Sequence, residues 1–255
     1  MPEGDTVLYY CAFLNKEIKN TNLLSITDIK NCKGYIKSID CKGKLLYINI
    51  DDFYIHIHFG LTGYFDFEDN KSKYEIIAHK DNKNIKLYLN DNIKLSSIQK
   101  YTKEEHENVL NELGFSIFDK NFTLDYFKSC FKNKKNLLCS FLLNQKLFCG
   151  IGNFIKNEVL YLTKLDIYIK VNELNDNNIK NLYNNILFVS YSSLYTELQK
   201  YNLMNYLDKK YECNKPDNIE IPYEIRIYKQ TQIGKKKVNF VKIAGRGTYY
   251  IDNNK

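Results

Sequence analysis

Apolar positions near the start of the chain recur every three or four residues: Val7, Tyr10, Cys11, Leu14 and Ile18. That spacing predicts an amphipathic helix with Asp5 or Thr6 available as its N-cap, so Pro2 and Glu3 precede it. The pattern then changes period. KLLYINI and FYIHIHFG alternate around Asp51-Asp52, which predicts two strands about a tight turn with Phe53, Ile55, Ile57 and Phe59 on one face. YFDF, YEIIAHK and IKLYLN extend the strand texture towards residue 98. From Lys103 the text turns helical, through TKEEHENVLNEL, LDYFKSCF, NLLCSFLL, NFIKNEVLYLTKL and a long stretch from Asn175 to Tyr201. Beyond Pro216 and Pro222 it returns to strand, with Gly234 where a hairpin would turn. Strands followed by helices predict an α+β chain of two domains, divided between Ser116 and Asn121.

Composition narrows the class. Of 255 residues, 44% are hydrophobic and 26% charged, as in globular proteins. No apolar run approaches the length of a membrane span and no signal-like segment opens the chain, so the expectation is a soluble intracellular protein. Thirty-seven basic residues against 30 acidic ones leave a net charge of +7, which suits a polyanionic partner. Arg226 and Arg246 are the only arginines in a chain crowded with Asn, Lys, Ile and Tyr, a bias that suggests an AT-rich genome. Lysine is the default cation here, so an arginine points to a need for guanidinium geometry. The seven cysteines are scattered, with no CxxC pair, which argues against a disulfide framework or a structural zinc site.

Three stretches carry candidate chemistry. The first is MPEG. Removal of Met1 would leave Pro2 as a free secondary amine, and an α-amine of pKa near 8 is neutral in roughly 20% of molecules at pH 7.4, against about 0.1% for an ordinary lysine. Condensed with an aldehyde-level carbon, it gives an iminium with no nitrogen proton to shed. The bland alternative is that Pro2 merely permits methionine removal. The second is NQKLFCGIGNFIKNEVL, where Gly150 to Asn153 break between apolar helical pieces and could offer backbone N–H groups and the Asn153 amide to a phosphate, with Lys156 one turn on. A plain glycine-rich helix connection reads the same way. The third is AGRGTYY, an arginine between glycines in a segment also holding Lys235, Lys236, Lys237 and Lys242, which suits a basic hairpin on a phosphate backbone. His56 and His58 share a strand face, but no third ligand accompanies them and no metal site is expected.

These pieces, in this order, resemble the formamidopyrimidine-DNA glycosylase and endonuclease VIII (Fpg/Nei) family of DNA glycosylases. The likeness runs from MPEG through CKGKLLYI and HFGLTG to NQKLFCGIGNFIKNEVL, matching the family's helix-two-turn-helix, and ends in GRGTYY, matching its finger motif. The resemblance implies an N-terminal helix with a β-sandwich over residues 1–118, a helical helix-two-turn-helix domain over 119–224 and a finger hairpin over 225–255. It implies that Pro2 attacks C1′ of the damaged nucleotide and that Glu3 acts as acid and proton shuttle. Lys44 would contact phosphate or aid proton transfer, and Arg246 would favour phosphate departure. DNA contacts are implied at Gly152, Asn153, Lys156, Lys242, His58 and Leu61.

Departures from the family pattern matter as much. Thr6 stands where members commonly carry glutamate. The finger segment has none of the four cysteines that usually hold zinc, which implies a zincless finger and no cofactor. NDNIKLSSI stands where an arginine-bearing wedge loop is usual, leaving Leu61 as the filler of the void. The expectation is a monomeric bifunctional glycosylase and AP lyase of the endonuclease VIII-like branch, acting on oxidised pyrimidines in duplex or single-stranded DNA by β,δ-elimination, with no membrane partner. Oxidised-purine specificity and a non-catalytic damage-binding protein are the alternatives.

Overall fold

The structure, a computed structural model, describes residues 2–252. The chain forms two compact units, one of residues 1–113 with 198–208, the other of 114–197 with 209–255. This division falls a few residues before the end of the first domain implied by the resemblance and groups the tail with the helical segment.

The first unit opens with α1 (Gly4–Ile18), whose Val7, Leu8, Cys11, Leu14 and Ile18 are buried. Its N-cap is Glu3, in extended conformation, and not the expected Asp5 or Thr6. The helix starts earlier because Glu3 O already accepts from Val7 N at 2.9 Å. The strands are β1 (Asn22–Ile26), β2 (Gly34–Lys42), β3 (Leu45–Ile50), β4 (Phe53–His58), β5 (Tyr64–Asp66), β6 (Ser72–Lys80), β7 (Lys83–Asn90) and β8 (Ser97–Thr102). They pair antiparallel in the order β5-β7-β6-β1-β2-β3-β4-β8. Only Asn22–Tyr35 and Leu23–Gly34 register β1 on β2, so the sheet is two four-stranded halves joined by a short seam.

Alternation does what period-two patterning requires: Leu46, Ile48 and Ile50 of β3 and Ile55 and Ile57 of β4 are wholly buried. On the other face of β4, His56 lies under α2 (Lys103–Asn111), a helix opened by a Thr102–Glu105 capping box. There His56 Nε2 and His106 Nδ1 share a hydrogen bond of 2.8 Å, with Tyr101 stacked on His56 and Tyr54 on His106.

The second unit contains β9 (Phe115–Ser116), α3 (Leu124–Phe131), α4 (Leu138–Phe141), β10 (Phe148–Cys149), α5 (Asn153–Thr163) and most of α6 (Asp176–Lys200). Its core is aromatic, with Phe118, Phe122, Phe127, Phe148 and Tyr191 fully buried. The tail, expected to turn at Gly234, makes two hairpins. The short one pairs β11 (Gln232–Ile233) with β12 (Lys236–Lys237), and the longer one pairs β13 (Asn239–Ile243) with β14 (Arg246–Tyr250). Ala244 and Gly245 turn the longer hairpin with φ of 49° and 76°, the left-handed pair that a two-residue turn between twisted strands requires.

Candidate functional site

Each unit carries its own share of the predicted residues. In the first, Pro2 is half-buried and leads directly into Glu3, which is 1% exposed at the start of α1. Asp5 is buried too, so two carboxylates sit in the first turn of a helix, where aligned peptide dipoles favour negative charge. The expected loss of Met1 concerns a residue outside the described ones.

Lys44 is at the tip of the β2–β3 hairpin, after Gly43 at φ of 60°. His58 ends β4 and accepts from Gly60 N at 3.2 Å; burial and the charge of Lys44 hold its imidazole below the ordinary histidine range. The structure therefore brings Lys44 and His58 into one electrostatic neighbourhood. Leu61 follows in a turn closed by Gly63 N on Phe59 O, and it is 40% exposed.

That turn is pinned to a second loop. Buried Asp91 accepts from Thr62 Oγ1 at 2.5 Å, from Ile93 N at 3.3 Å and from Ser96 N at 2.6 Å. Burial alone would raise the Asp91 pKa, but these bonds outweigh it and keep the carboxyl below its usual value. A Cβ on Gly60, at φ of +61°, would come within 2.7 Å of the Leu95 carbonyl carbon, so only glycine allows this approach. The result is an exposed aliphatic set, Leu61, Ile93 and Leu95, held on two locked loops.

In the second unit, Gln145 builds the turn before α5. Its Nε2 donates to Leu143 O and Ile151 O, and its Oε1 accepts from Gly150 N. Gly152 is the N-cap and Asn153 the first helical residue, so the positive end of the helix dipole lies there. Asn153 Oδ1 is buried without a hydrogen-bond partner, so the fold leaves that amide oxygen unused. The finger meets the same place: a Cβ on Gly247 would stand 3.8 Å from Asn153 Nδ2. Arg246 is exposed at the hairpin turn, and Lys242 is exposed opposite Gly247.

Lys156 does not keep its expected role as a DNA contact. It is fully buried, and its Nζ donates to Gly247 O and Thr248 Oγ1, each at 2.9 Å, so the ammonium is spent on the hairpin. Sequence reasoning also passed over Glu158. Its buried carboxylate accepts from Tyr223 Oη, Arg226 N, Ile227 N and Tyr228 N, fixing the segment that leads into the finger. The signal was available, since NFIKNEVLYL places a lone carboxylate in an apolar helical run. Gln145, Asn157, Ile93 and Leu95 were likewise unassigned; the last two lie in the loop read as lacking a wedge.

The family model for the formamidopyrimidine-DNA glycosylase H2TH domain matches residues 113–199. The formamidopyrimidine-DNA glycosylase of Wolbachia sp. subsp. Brugia malayi (strain TRS) is 25% identical over 276 aligned positions, covering 98% of both chains. That of Protochlamydia amoebophila (strain UWE25) is 29% identical over 60% of this chain and 56% of its own. Among solved structures, the Lactococcus lactis enzyme bound to DNA containing an AP site superposes with a TM-score of 0.77 at 18% identity, covering 98% of each chain. MutM in complex with DNA containing carbocyclic 8-oxo-G gives 0.78 at 19%, also over 98% of each. The structural likeness is one of fold, whereas the end-to-end sequence match and the H2TH model bear on descent. With MPEG at the start of α1, GIGN at the start of α5 and GRGTYY at the finger turn, they support a likeness to the Fpg/Nei family of DNA glycosylases that runs the length of the chain.

Proposed function

We propose that this protein is a bifunctional DNA glycosylase and AP lyase that excises oxidised bases and nicks the strand through an N-terminal Schiff base. The observation that carries the reading is Pro2 set directly before buried Glu3 at the positive end of α1. The neutral Pro2 nitrogen forms a bond to C1′, and the glycosidic C–N bond breaks as the base leaves with its electron pair and a proton. Glu3 supplies a proton to the sugar ring oxygen, opening the ring to an iminium. Loss of the C2′ proton then expels the 3′ phosphate, and a second elimination expels the 5′ phosphate. Arg246 and Asn153 grip the phosphates, and a guanidinium suits a leaving phosphate dianion better than an ammonium does. Lys44, whose charge acts on His58, supplies positive charge within the first unit.

Damaged DNA is the partner, a reading supported by the AP-site and 8-oxo-G DNA in the solved relatives and by the net charge of +7. The target base must leave the stack to be reached, and Leu61, Ile93 and Leu95 are the residues to fill the void. In this reading the wedge is apolar. The relatives are named for formamidopyrimidine, which favours ring-opened purines as substrates. Oxidised pyrimidines are the second reading, favoured by Gly4-Asp5 after Glu3. Residues 225–255 include no cysteine or histidine and do not fit a structural zinc. The finger in this reading is zincless, the protein a monomer working where the genome is housed.

Borohydride trapping tests the mechanism. Protein shown by mass spectrometry to begin at Pro2 is expected to form a covalent adduct with an abasic oligonucleotide, and Pro2→Gly or retained Met1 to reduce or abolish it. Absence of an adduct despite measurable binding would leave a damage-binding protein. Parallel oligonucleotides bearing a formamidopyrimidine or thymine glycol separate the two substrate readings.

A further inference from the structure

A lysine is fully buried only where its ammonium is satisfied, so the position of Lys156 is a costly choice unless it does something an apolar residue could not. Its Nζ binds Gly247 O and Thr248 Oγ1, the two residues that follow Arg246. The next residue on α5, Asn157, donates to Gly247 O at 3.2 Å and accepts from Tyr249 N at 2.7 Å. Three consecutive residues behind Arg246 are thus fastened to the helix that begins with Asn153. Gly247 is closed in from another side by Phe240, whose Cε2 would lie 2.6 Å from an added Cβ. Ahead of Arg246 the situation reverses, for a Cβ on Gly245 would meet nothing within 4 Å.

We infer that Lys156 is the positioning residue of the finger: its ammonium clamps the backbone behind Arg246 to α5 and so sets the guanidinium beside Asn153. The inference rests on the reading of Arg246 and Asn153 as phosphate contacts. Lys156 touches no DNA in this arrangement and acts through Arg246. An ammonium suits the task because one atom can serve a carbonyl and a hydroxyl at once, which Met or Leu at the same place could not do. The clamp also accounts for a hairpin that keeps its place without metal ligands.

The test uses the full chain with Lys156→Met, which keeps the stem, and Thr248→Val, which removes one acceptor at nearly constant shape. Each is made alone and with Arg246→Ala. Backbone hydrogen exchange over residues 246–250 is expected to speed up about tenfold in Lys156→Met with the first unit unchanged. Unchanged protection there would overturn the clamp, whatever the enzyme does. On abasic duplex, Lys156→Met is expected to weaken binding about tenfold and shift products from δ- towards β-elimination, while borohydride trapping on a single-stranded abasic oligonucleotide stays within about twofold. In the Arg246→Ala background the same substitution should add less than about twofold, because it acts through the residue already removed. Full multiplication of the two effects would overturn the inference. Should Lys156→Met not fold, Thr248→Val must give the same order of effects, at smaller size, or the assignment fails. A wild-type protein that neither traps nor nicks would defeat the functional reading, and the exchange experiment would still decide the clamp.

Discussion

At the scale of single residues, the two arginines differ in what the fold does with them. Arg226 pairs with Glu220 and lies against the rings of Phe188 and Tyr223, so the fold uses it up. Arg246 is exposed at the finger turn. The proposed function predicts that Arg246→Ala weakens binding to abasic DNA and nicking by at least about tenfold, while Lys242→Ala costs only the salt-sensitive share of one phosphate contact. Equal losses in a salt titration would remove Arg246 from its assigned role. Glu158 tests architecture. Glu158→Ala strands three backbone N–H groups and the Tyr223 hydroxyl, and is expected to cost roughly 3–5 kcal/mol in urea unfolding, with Glu158→Gln costing less. Composition pointed to both arginines equally, because a residue's rarity says nothing about whether its neighbours will consume it.

At the scale of elements, most helices and strands were legible because their apolar period matched their burial. α2, α3, α5 and α6 follow the predicted stretches closely, and the β3–β4 hairpin turns at Asp51-Asp52 as read. What escaped depended on partners distant in sequence. β1, β2 and β8 have little alternation of their own and are defined by pairing with β6, β3 and β4. The loop after β7 looked deficient because the expected arginine was missing, yet Asp91 locks it beside Leu61. Three aliphatic tips can fill a gap in a base stack but offer no hydrogen bond to the opposite base. Replacing Ile93 and Leu95 together by serine is therefore expected to reduce excision from duplex several-fold more than from single strands, and wild-type rates should vary little with the base opposite. A strong opposite-base preference would exclude this wedge.

The β4–α2 contact carries a pH dependence. His56 faces His106, Tyr101 and Tyr47, and Glu107 bears on His106. Burial and then His106 lower the His56 pKa from 6.5 to about 4, and burial also lowers that of His106. The unfolded chain therefore binds more protons across this window. Stability is complete above the ordinary histidine pKa and falls as pH drops from 6.5 towards 4, by at most about 3 kcal/mol for His56. Urea midpoints at pH 7 and pH 5 measure the effect, and His56→Gln should flatten it.

For the whole molecule, a zincless finger predicts that chelators change neither the unfolding midpoint nor nicking, and a drop in either after EDTA would contradict that reading. The chain's path has a further consequence. Leaving the first unit at Leu113, it returns within the last turn of α6, contributes Leu198 to Asp208, and leaves again. Buried Leu203 and the Tyr201 ring, 5.5 Å from that of Tyr9, belong to that returning segment. No single cut releases the first unit intact. A gene fragment ending at Leu113 would strip α1 of part of its cover, so the first unit is not a self-contained module, and an exchange between relatives that keeps it whole takes with it a short piece encoded some eighty codons downstream.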